Sequence, residues 1–285
     1  MTRPGSVFST VTAALTVENY RFLQSQVYQH SGIVLDDSKH YLLESRLSPI
    51  VRDEGLHDLN ALCLLLRGHG PSPLRNRVIE AMTTNETLFF RDAAPFQALR
   101  QEILPEGLRT SGSRPLRIWS AASSTGQEAY SIAIVASEVG LGLGKSRLEI
   151  LGTDLSEEVI ARAREGAYTQ LEVSRGLPAA MLVKYFTRKG MSWQLHDSIR
   201  EMVRFQKLDL RNGVRALGRF DVVFCRNVLI YFDLDTKRTV LSQIYDALSP
   251  NGYLFLGAAE TTLNVHEKFT RKVVAGASVY QKVEG

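Results

Sequence analysis

Cysteine is nearly missing from this 285-residue chain: Cys63 and Cys225 stand 162 positions apart. Two distant thiols exclude a disulfide scaffold and a cysteine-built metal framework, and they suit a reducing compartment. Long apolar runs are missing too. None reaches the roughly 18 residues of a membrane-spanning helix, and the short patch Val11–Val17 ends at Glu18 and Asn19. That pattern predicts neither a span nor an export signal, and places the protein in the cytoplasm. The six histidines are scattered, so neither a metal site nor a Ser/His/Asp triad is expected. No G-x-G-x-x-G fingerprint is present, which counts against a dinucleotide phosphate cradle. No Lys/Arg block carries interleaved aromatics, so a nucleic-acid platform is not expected.

What the chain does have is apolar material. Hydrophobic residues make up 44% of it, enough to exclude a mainly disordered polymer and to fill the cores of about two domains. Charge is uneven: the net is −1 over residues 1–110 and +5 over 111–285. Residues 186–219 alone hold eight basic side chains (Arg188, Lys189, Arg200, Arg204, Lys207, Arg211, Arg215, Arg219) against three acids. That excess reads either as a solvated face or as an attraction for an acidic partner.

The first eighty residues carry helical periodicity and no convincing strand. Phe22, Leu23, Val27 and Ile33 suggest one stripe, and Leu42, Leu43, Leu47 and Ile50 a clearer one. Asp58 is placed to cap a third helix through Leu59, Leu62, Leu65 and Leu66. A break follows at Gly68-His-Gly-Pro-Ser-Pro, then a fourth helix over Arg75–Met82. After about residue 114 the rhythm changes to short apolar runs alternating with helical stretches. Leu116–Ser120, Leu148–Thr153, Phe220–Cys225 and Gly252–Gly257 read as strands. Helices are predicted over Glu128–Val139, Ser156–Arg164 and Asp235–Leu248. This is the mark of a parallel α/β sheet with crossover helices. Residues of about 166–205 break the rhythm as an insertion, and Ala277–Lys282 is expected to return as an edge strand.

In an open α/β sheet, ligands bind outside the carboxyl ends of the strands. The first strand ends in Ser120-Ala-Ala-Ser-Ser-Thr-Gly-Gln-Glu128, small residues that let a ligand approach the backbone. The second ends in Thr153-Asp154. Asp154 is compatible with two roles, a helix N-cap or an acceptor for two ribose hydroxyls. The third ends in Lys207-Leu-Asp209-Leu210, where an acid suits an exocyclic amino group and Leu210 a purine face. The fourth ends in Cys225-Arg-Asn227-Val-Leu-Ile-Tyr231-Phe. Each alone has an ordinary structural reading; four successive strand ends with ligand-like groups favour a site. Thr83-Thr-Asn85-Glu-Thr87-Leu-Phe-Phe-Arg91 lies between the two halves and reads either as a closing segment or as a joint with Phe89 and Phe90 in the core.

Together these segments resemble the CheR-type chemotaxis receptor methyltransferases. The carriers are Thr-Thr-Asn85-x-Thr87-x-Phe-Phe-Arg91, Ala-Ser-Ser-Thr-Gly-Gln-Glu128-Ala-Tyr-Ser, Gly-Thr-Asp154-Leu-Ser and Phe-Cys-Arg-Asn227-Val-Leu-Ile-Tyr231-Phe. The likeness runs from about Tyr20 to Tyr280. It implies a Rossmann-like class I methyltransferase domain over 85–285, with a small inserted β-subdomain at about 166–205. A small all-helical domain over 10–84 would precede it, with a linker at about 82–95. It implies transfer of a methyl group from S-adenosylmethionine to glutamate side chains of chemoreceptors, leaving S-adenosylhomocysteine and using no metal. Carried over, Asn85, Thr87 and Arg91 line the cofactor's amino-acid end and the transfer site, and Glu128 contacts the cofactor. Asp154 takes the ribose, Asp209 and Leu210 border the adenine, and Cys225, Arg226 and Asn227 close the pocket. Arg91 and Tyr231 are the expected catalytic pair. The implied partners are cytoplasmic receptor helices and, in part of the family, a receptor's C-terminal peptide at the insertion, so membranes are approached only through receptors. Two departures stand out. Gln127-Glu128-Ala-Tyr130 replaces the usual Glu-Glu-Pro-Tyr, keeping the second acid. The second helix, often strongly basic in the family, here mixes Lys39, Arg46 and Arg52 with Glu44, Asp53 and Glu54.

A glutamate side chain ionises near pH 4.3 and is already a nucleophile at neutral pH. Such an enzyme needs no general base; it needs groups that orient a carboxylate, for which an arginine and a tyrosine are suited. The competing nucleic-acid methyltransferase reading expects Asn/Asp-Pro-Pro-aromatic after the fourth strand, and Asn227-Val-Leu-Ile-Tyr has no proline. A non-catalytic cofactor-binding module does not account for both Arg91 and Tyr231. For docking, Lys39 and Arg46, seven apart, and the 186–219 stretch predict one salt-sensitive basic contact per domain for an acidic receptor helix.

Overall fold

The computed structural model of the chain describes residues 14–68, 73–110, 112, 114–140 and 147–282. The start of the helical domain at residue 10, positions 11–13 of the Val11–Val17 patch and positions 69–72 of the break lie outside these residues. The chain divides into two compact units, Met1–Thr84 and Asn85–Gly285.

Among the described residues the first unit holds four α-helices. α1 (Val17–Ser31) starts at Thr16, whose side chain accepts from the Asn19 amide, and ends at Gly32 with φ +75°. That left-handed stop leaves Ile33 outside the helix, so the buried stripe is Tyr20, Leu23 and Val27. α2 (His40–Asp53) buries Leu43, Leu47 and Ile50. α3 (Leu59–Gly68) is capped by Asp58, which accepts from the Ala61 amide at 2.8 Å. It buries Cys63 in place of the expected Leu65, which is exposed. α4 (Pro73–Met82) begins two residues earlier than the periodicity suggests, because a proline fits the first helical turn, where its missing N–H has no partner to lose.

The second unit opens with α5 (Ala93–Ala98), a π turn over Leu99–Ile103 and α6 (Leu104–Thr110). Then come β1 (Leu116–Ala121), α7 (Gln127–Glu138), β2 (Leu148–Asp154) and α8 (Glu157–Glu165). The insertion follows: β3 (Ala167–Thr169), α9 (Gln170–Ser174), α10 (Ala179–Tyr185), β4 (Phe186–Lys189), β5 (Ser192–Leu195) and α11 (Asp197–Arg200). The chain returns through β6 (Val203–Lys207) and β7 (Phe220–Cys225), α12 (Leu234–Ala247), β8 (Leu248–Leu256), β9 (Phe269–Val274) and β10 (Ala277–Lys282). β3, β5 and β4 make their own three-stranded antiparallel sheet. β6 already belongs to the main sheet, so Val203–Phe205 lie outside the insertion.

The main sheet has the order β6-β2-β1-β7-β8-β10-β9. β6, β2, β1, β7 and β8 pair in parallel, while β10 runs antiparallel to both β8 and β9. Ala277–Lys282 is therefore not an edge strand; β9 occupies the edge. Successive residues of the central strands feed opposite cores, as the two-residue period requires. Ile118, Val222, Phe224 and Phe255 join the core that contains α7, and Trp119, Val223, Cys225 and Leu254 join the one that contains α12. Both faces are covered, which is why β7 is apolar from Val222 to Cys225, with Asp221 at its start. Strand order reverses between β1 and β7, and the carboxyl ends at such a reversal are where open α/β sheets bind ligands.

Candidate active site

The loop after β1 carries three left-handed residues, Ala122 (φ +56°), Ser124 (φ +51°) and Gly126 (φ +94°). A side chain at Gly126 would meet Ala163 and Tyr130 at 3.1 Å, so glycine is needed for conformation and for space. The fold of this loop rests on Asp154. Its carboxylate, buried at the end of β2, accepts from the amides of Ser124 (2.9 Å) and Ser156 (3.1 Å). Ser156, not Asp154, is the N-cap of α8, accepting from the Val159 amide. The Ser123 hydroxyl is buried without a hydrogen-bond partner.

Asn85 and Arg91 are brought to this loop and to the end of β7. The Ser124 hydroxyl donates to the Asn85 carbonyl at 2.8 Å, and the Phe90 amide donates to the Ser131 hydroxyl of α7 at 2.9 Å. Thr87 is half-buried in the same stretch. Phe89 is fully buried, edge-on to Tyr168 and Phe186 of the inserted sheet. The segment thus serves as a core joint through Phe89 while presenting polar groups around it.

Beneath Arg91 lies a charged network. The Arg226 side chain is 1% exposed and binds Glu128 (3.0 Å), Asp92 (2.6 Å) and the Arg91 carbonyl (2.8 Å). Glu128 also accepts from the Ser120 hydroxyl at 2.8 Å. The Arg226 guanidinium is thereby enclosed, and it positions Glu128 and the Arg91 backbone. By contrast the Arg91 guanidinium makes one long bond, to the Glu86 carbonyl at 3.4 Å. Phe90 and Asp92, on either side, hold positive φ of +50° and +58°.

The other expected residues divide. Asp209 stands at the end of β6, and its carboxylate is gripped by Arg211 at 2.7 Å. Leu210 is buried in the core on the α12 side. The Cys225 thiol packs in that same core, where burial and the Glu260 and Glu128 charges push its pKa well up; only backbone is available from this residue. Asn227 adopts φ +59°. Tyr231 ends a 3₁₀ turn, Leu229–Tyr231, half-buried, and its hydroxyl has no hydrogen-bond partner among the described residues.

Sequence reasoning missed Glu260, just past the end of β8. Its carboxylate accepts from the amides of Gly257 (2.7 Å), Asn227 (2.8 Å), Val228 (2.9 Å) and Ile230 (3.3 Å). The available signal was positional: β8 is the fifth parallel strand, so its carboxyl end lies on the same side of the sheet as the other four.

The basic docking contacts need correction. Lys39 lies in a 3₁₀ turn before α2 and pairs with Asp36 at 3.1 Å. Arg46 donates to the carbonyls of Met82 (2.8 Å) and Thr83 (3.1 Å) and to the Thr84 hydroxyl. Its charge closes the C-terminus of α4. In the 186–219 stretch, Arg200, Arg211 and Arg215 pair with Asp197, Asp209 and Asp246. Arg188 and Lys189 lie on β4, Arg204 and Lys207 on β6. The excess is thus split between two sheets and partly neutralised.

The residues present fit S-adenosylmethionine: an acid at the end of β2 for a diol, a small-residue loop open to close approach, and a buried hydroxyl awaiting a partner. The model of the CheR methyltransferase SAM binding domain matches residues 85–276, and that of the CheR methyltransferase all-alpha domain matches 18–83. The chain is 42% identical to chemotaxis protein methyltransferase 1 of Pseudomonas aeruginosa over 88% of its length and 92% of the relative. It is 43% identical to chemotaxis protein methyltransferase 1 of Vibrio cholerae, covering 87% and 90%. To the chemotaxis protein methyltransferase of Escherichia coli it is 34% identical, covering 95% and 93%. Among the described residues no helix is long and apolar enough to cross a membrane. The chain belongs to the CheR methyltransferase family of S-adenosylmethionine-dependent chemotaxis enzymes.

Proposed function

We propose that the protein methylates glutamate carboxylates on the cytoplasmic helices of chemoreceptors. The observation that supports this reading is the Asp154-braced loop at the reversal of strand order, together with the Arg91 backbone tied to Arg226 at the end of β7 and the turn after β7 that carries Tyr231. Asn85, Thr87, Arg91 and Glu128 hold the amino-acid end of S-adenosylmethionine, Asp154 its ribose, and the Asp209–Leu210 turn its adenine. Cys225 and Asn227 contribute backbone to the pocket wall, and Arg226 braces Glu128 from below. The bound cofactor supplies an electrophilic methyl group on a sulfonium.

The work left to the chain is positional. The acceptor carboxylate arrives ionised, so no proton has to be removed from it. Arg91 attracts it, and Tyr231 donates one directed hydrogen bond that fixes which oxygen faces the methyl group. Both groups must orient the carboxylate without neutralising it, and the walls must exclude water, a competing acceptor. The test uses receptor membranes and methyl-labelled cofactor. A carboxyl ester releases its label as methanol in mild base. Absent transfer, or label that resists base, overturns the reading.

A further inference from the structure

We propose that Glu260 is a positioning residue for the acceptor side of the transfer site, acting through the 227–231 loop on Tyr231. The inference rests on the role given to Tyr231 above.

An ionised carboxylate offers about four lone-pair sites, two on each oxygen. Four amides occupy them: Gly257 and Asn227 on Oε2, Val228 and Ile230 on Oε1. Glu260 is therefore filled, which leaves it no part as a base or as a ligand to substrate. What it can do is fix backbone. Three of its four donors belong to the turn that leaves β7, where the sheet ladder has ended and amides need new partners. The left-handed Asn227, at φ +59°, turns successive N–H groups toward one point, the geometry of an anion-binding nest. The protein fills that nest with its own carboxylate.

The site is built to close tolerance. A Cβ on Gly257 would stand 2.7 Å from Asn227 Nδ2, 2.7 Å from Glu260 Oε2 and 2.9 Å from the Asn227 amide. Only glycine lets the ends of β7 and β8 approach this closely. From below, Leu229 is buried to 2% exposure. Tyr231 follows within the same turn, its amide on the Val228 carbonyl at 3.2 Å. Val228 is thus held at both ends, by Glu260 through its N–H and by Tyr231 through its C=O. With no partner on the phenol, Tyr231 is placed by its backbone, and that backbone is placed by Leu229 and Glu260.

The experiment is a double-mutant cycle with Glu260→Gln and Tyr231→Phe, with turnover measured per S-adenosylhomocysteine-binding site on receptor membranes. The glutamine keeps the shape but turns an NH₂ toward amides that need an acceptor. Turnover is expected to fall on the order of ten- to a hundredfold, the scale of a small misplacement. The affinity for S-adenosylhomocysteine, read by calorimetry, is expected to change less than about threefold, within the range of a minor contact. If Glu260 acts through Tyr231, the double variant is no slower than the slower single one. Losses that multiply, or a loss confined to cofactor affinity, overturn the proposal. Wild-type turnover in Tyr231→Phe alone instead overturns the role of Tyr231, a separate failure. Should Glu260→Gln not fold, Gly257→Ala keeps the carboxylate but displaces it. The same fall in turnover at retained cofactor affinity is then expected, and wild-type turnover overturns the proposal.

Discussion

On both flanks of the strand ends, side chains grip backbone, but the gripping residues differ in kind. On the flank of β1 and β2 the expected cofactor ligand is itself the brace: Asp154 holds the amides of Ser124 and Ser156, and the Ser124 hydroxyl holds the Asn85 carbonyl. On the flank of Arg91 and Tyr231, other residues are the braces. Arg226 grips the Arg91 carbonyl and Glu260 the amides after β7, while the guanidinium of Arg91 and the phenol of Tyr231 are left nearly unengaged. On the proposed function, a cofactor of constant shape would meet a wall whose groups are already set. An incoming carboxylate would meet groups on fixed backbone whose ends have little to release. Preorganisation without competing partners lowers the cost of orienting the acceptor.

The contrast breaks most visibly at Arg226. Arg226→Leu leaves Glu128, whose side chain is 12% exposed, without its cation. It also releases the Arg91 carbonyl. The expected loss of stability is roughly 3 kcal/mol, typical of a buried pair with one partner removed, read by urea unfolding. A loss below about 1 kcal/mol, the range of surface pairs, would show that the network does not brace this flank.

Asp154→Ala comes next. It strands two amides and removes the acid from the end of β2. Stability and affinity for S-adenosylhomocysteine are each expected to fall by roughly 1–3 kcal/mol, the cost of unsatisfied buried partners. Unfolding curves and calorimetry separate the two effects. Unchanged affinity would take Asp154 out of the cofactor site and leave it as a loop brace alone.

Arg46 extends the same distinction to the helical unit, as an arginine whose charge is fully used. Arg46→Ala is expected to cost about 1 kcal/mol, the scale of a lost helix-terminal contact. Helical melting would show it, with S-adenosylhomocysteine affinity unchanged. A receptor-affinity loss with no change in melting would restore the docking role that its spacing from Lys39 suggested.

Legibility in the sequence followed periodicity. β7 and β1 were readable because both of their faces are largely buried, giving mostly apolar runs between turns, interrupted at Asp221 and at Arg117 and Ser120. β9 was not, since four of its residues, Thr270–Val273, are exposed and only its ends are buried; an edge strand need not alternate. The α12-side burial of Leu210 and Cys225 was hidden as well, because position at a strand end does not reveal which way a side chain points. The residues proposed to contact ligands are readable as motifs. Their braces are not: Arg46 meets acceptors 36 to 38 positions away and Glu260 meets amides 30 to 33 positions away. Such pairings exist only once the sheet order and the helix packing are set.

Arg91 gives the smallest structural effect and the sharpest test of the contrast. Its backbone carbonyl is a partner of Arg226, and Arg91→Ala keeps that carbonyl. What is removed is a guanidinium whose one hydrogen bond is 3.4 Å long, at the weak end of useful geometry. Folding stability is therefore expected to change by no more than about 0.5 kcal/mol, the usual range for a side chain outside any network. Transfer to receptor is expected to fall by at least about a hundredfold, since a charge-assisted contact to the acceptor and its orientation go together. Arg91→Lys restores the charge but not the planar fork, and should recover only part of the loss. Full recovery with lysine would mean that attraction alone suffices. A large loss of stability in the alanine variant would show that on this flank, too, the expected ligand group is itself a brace.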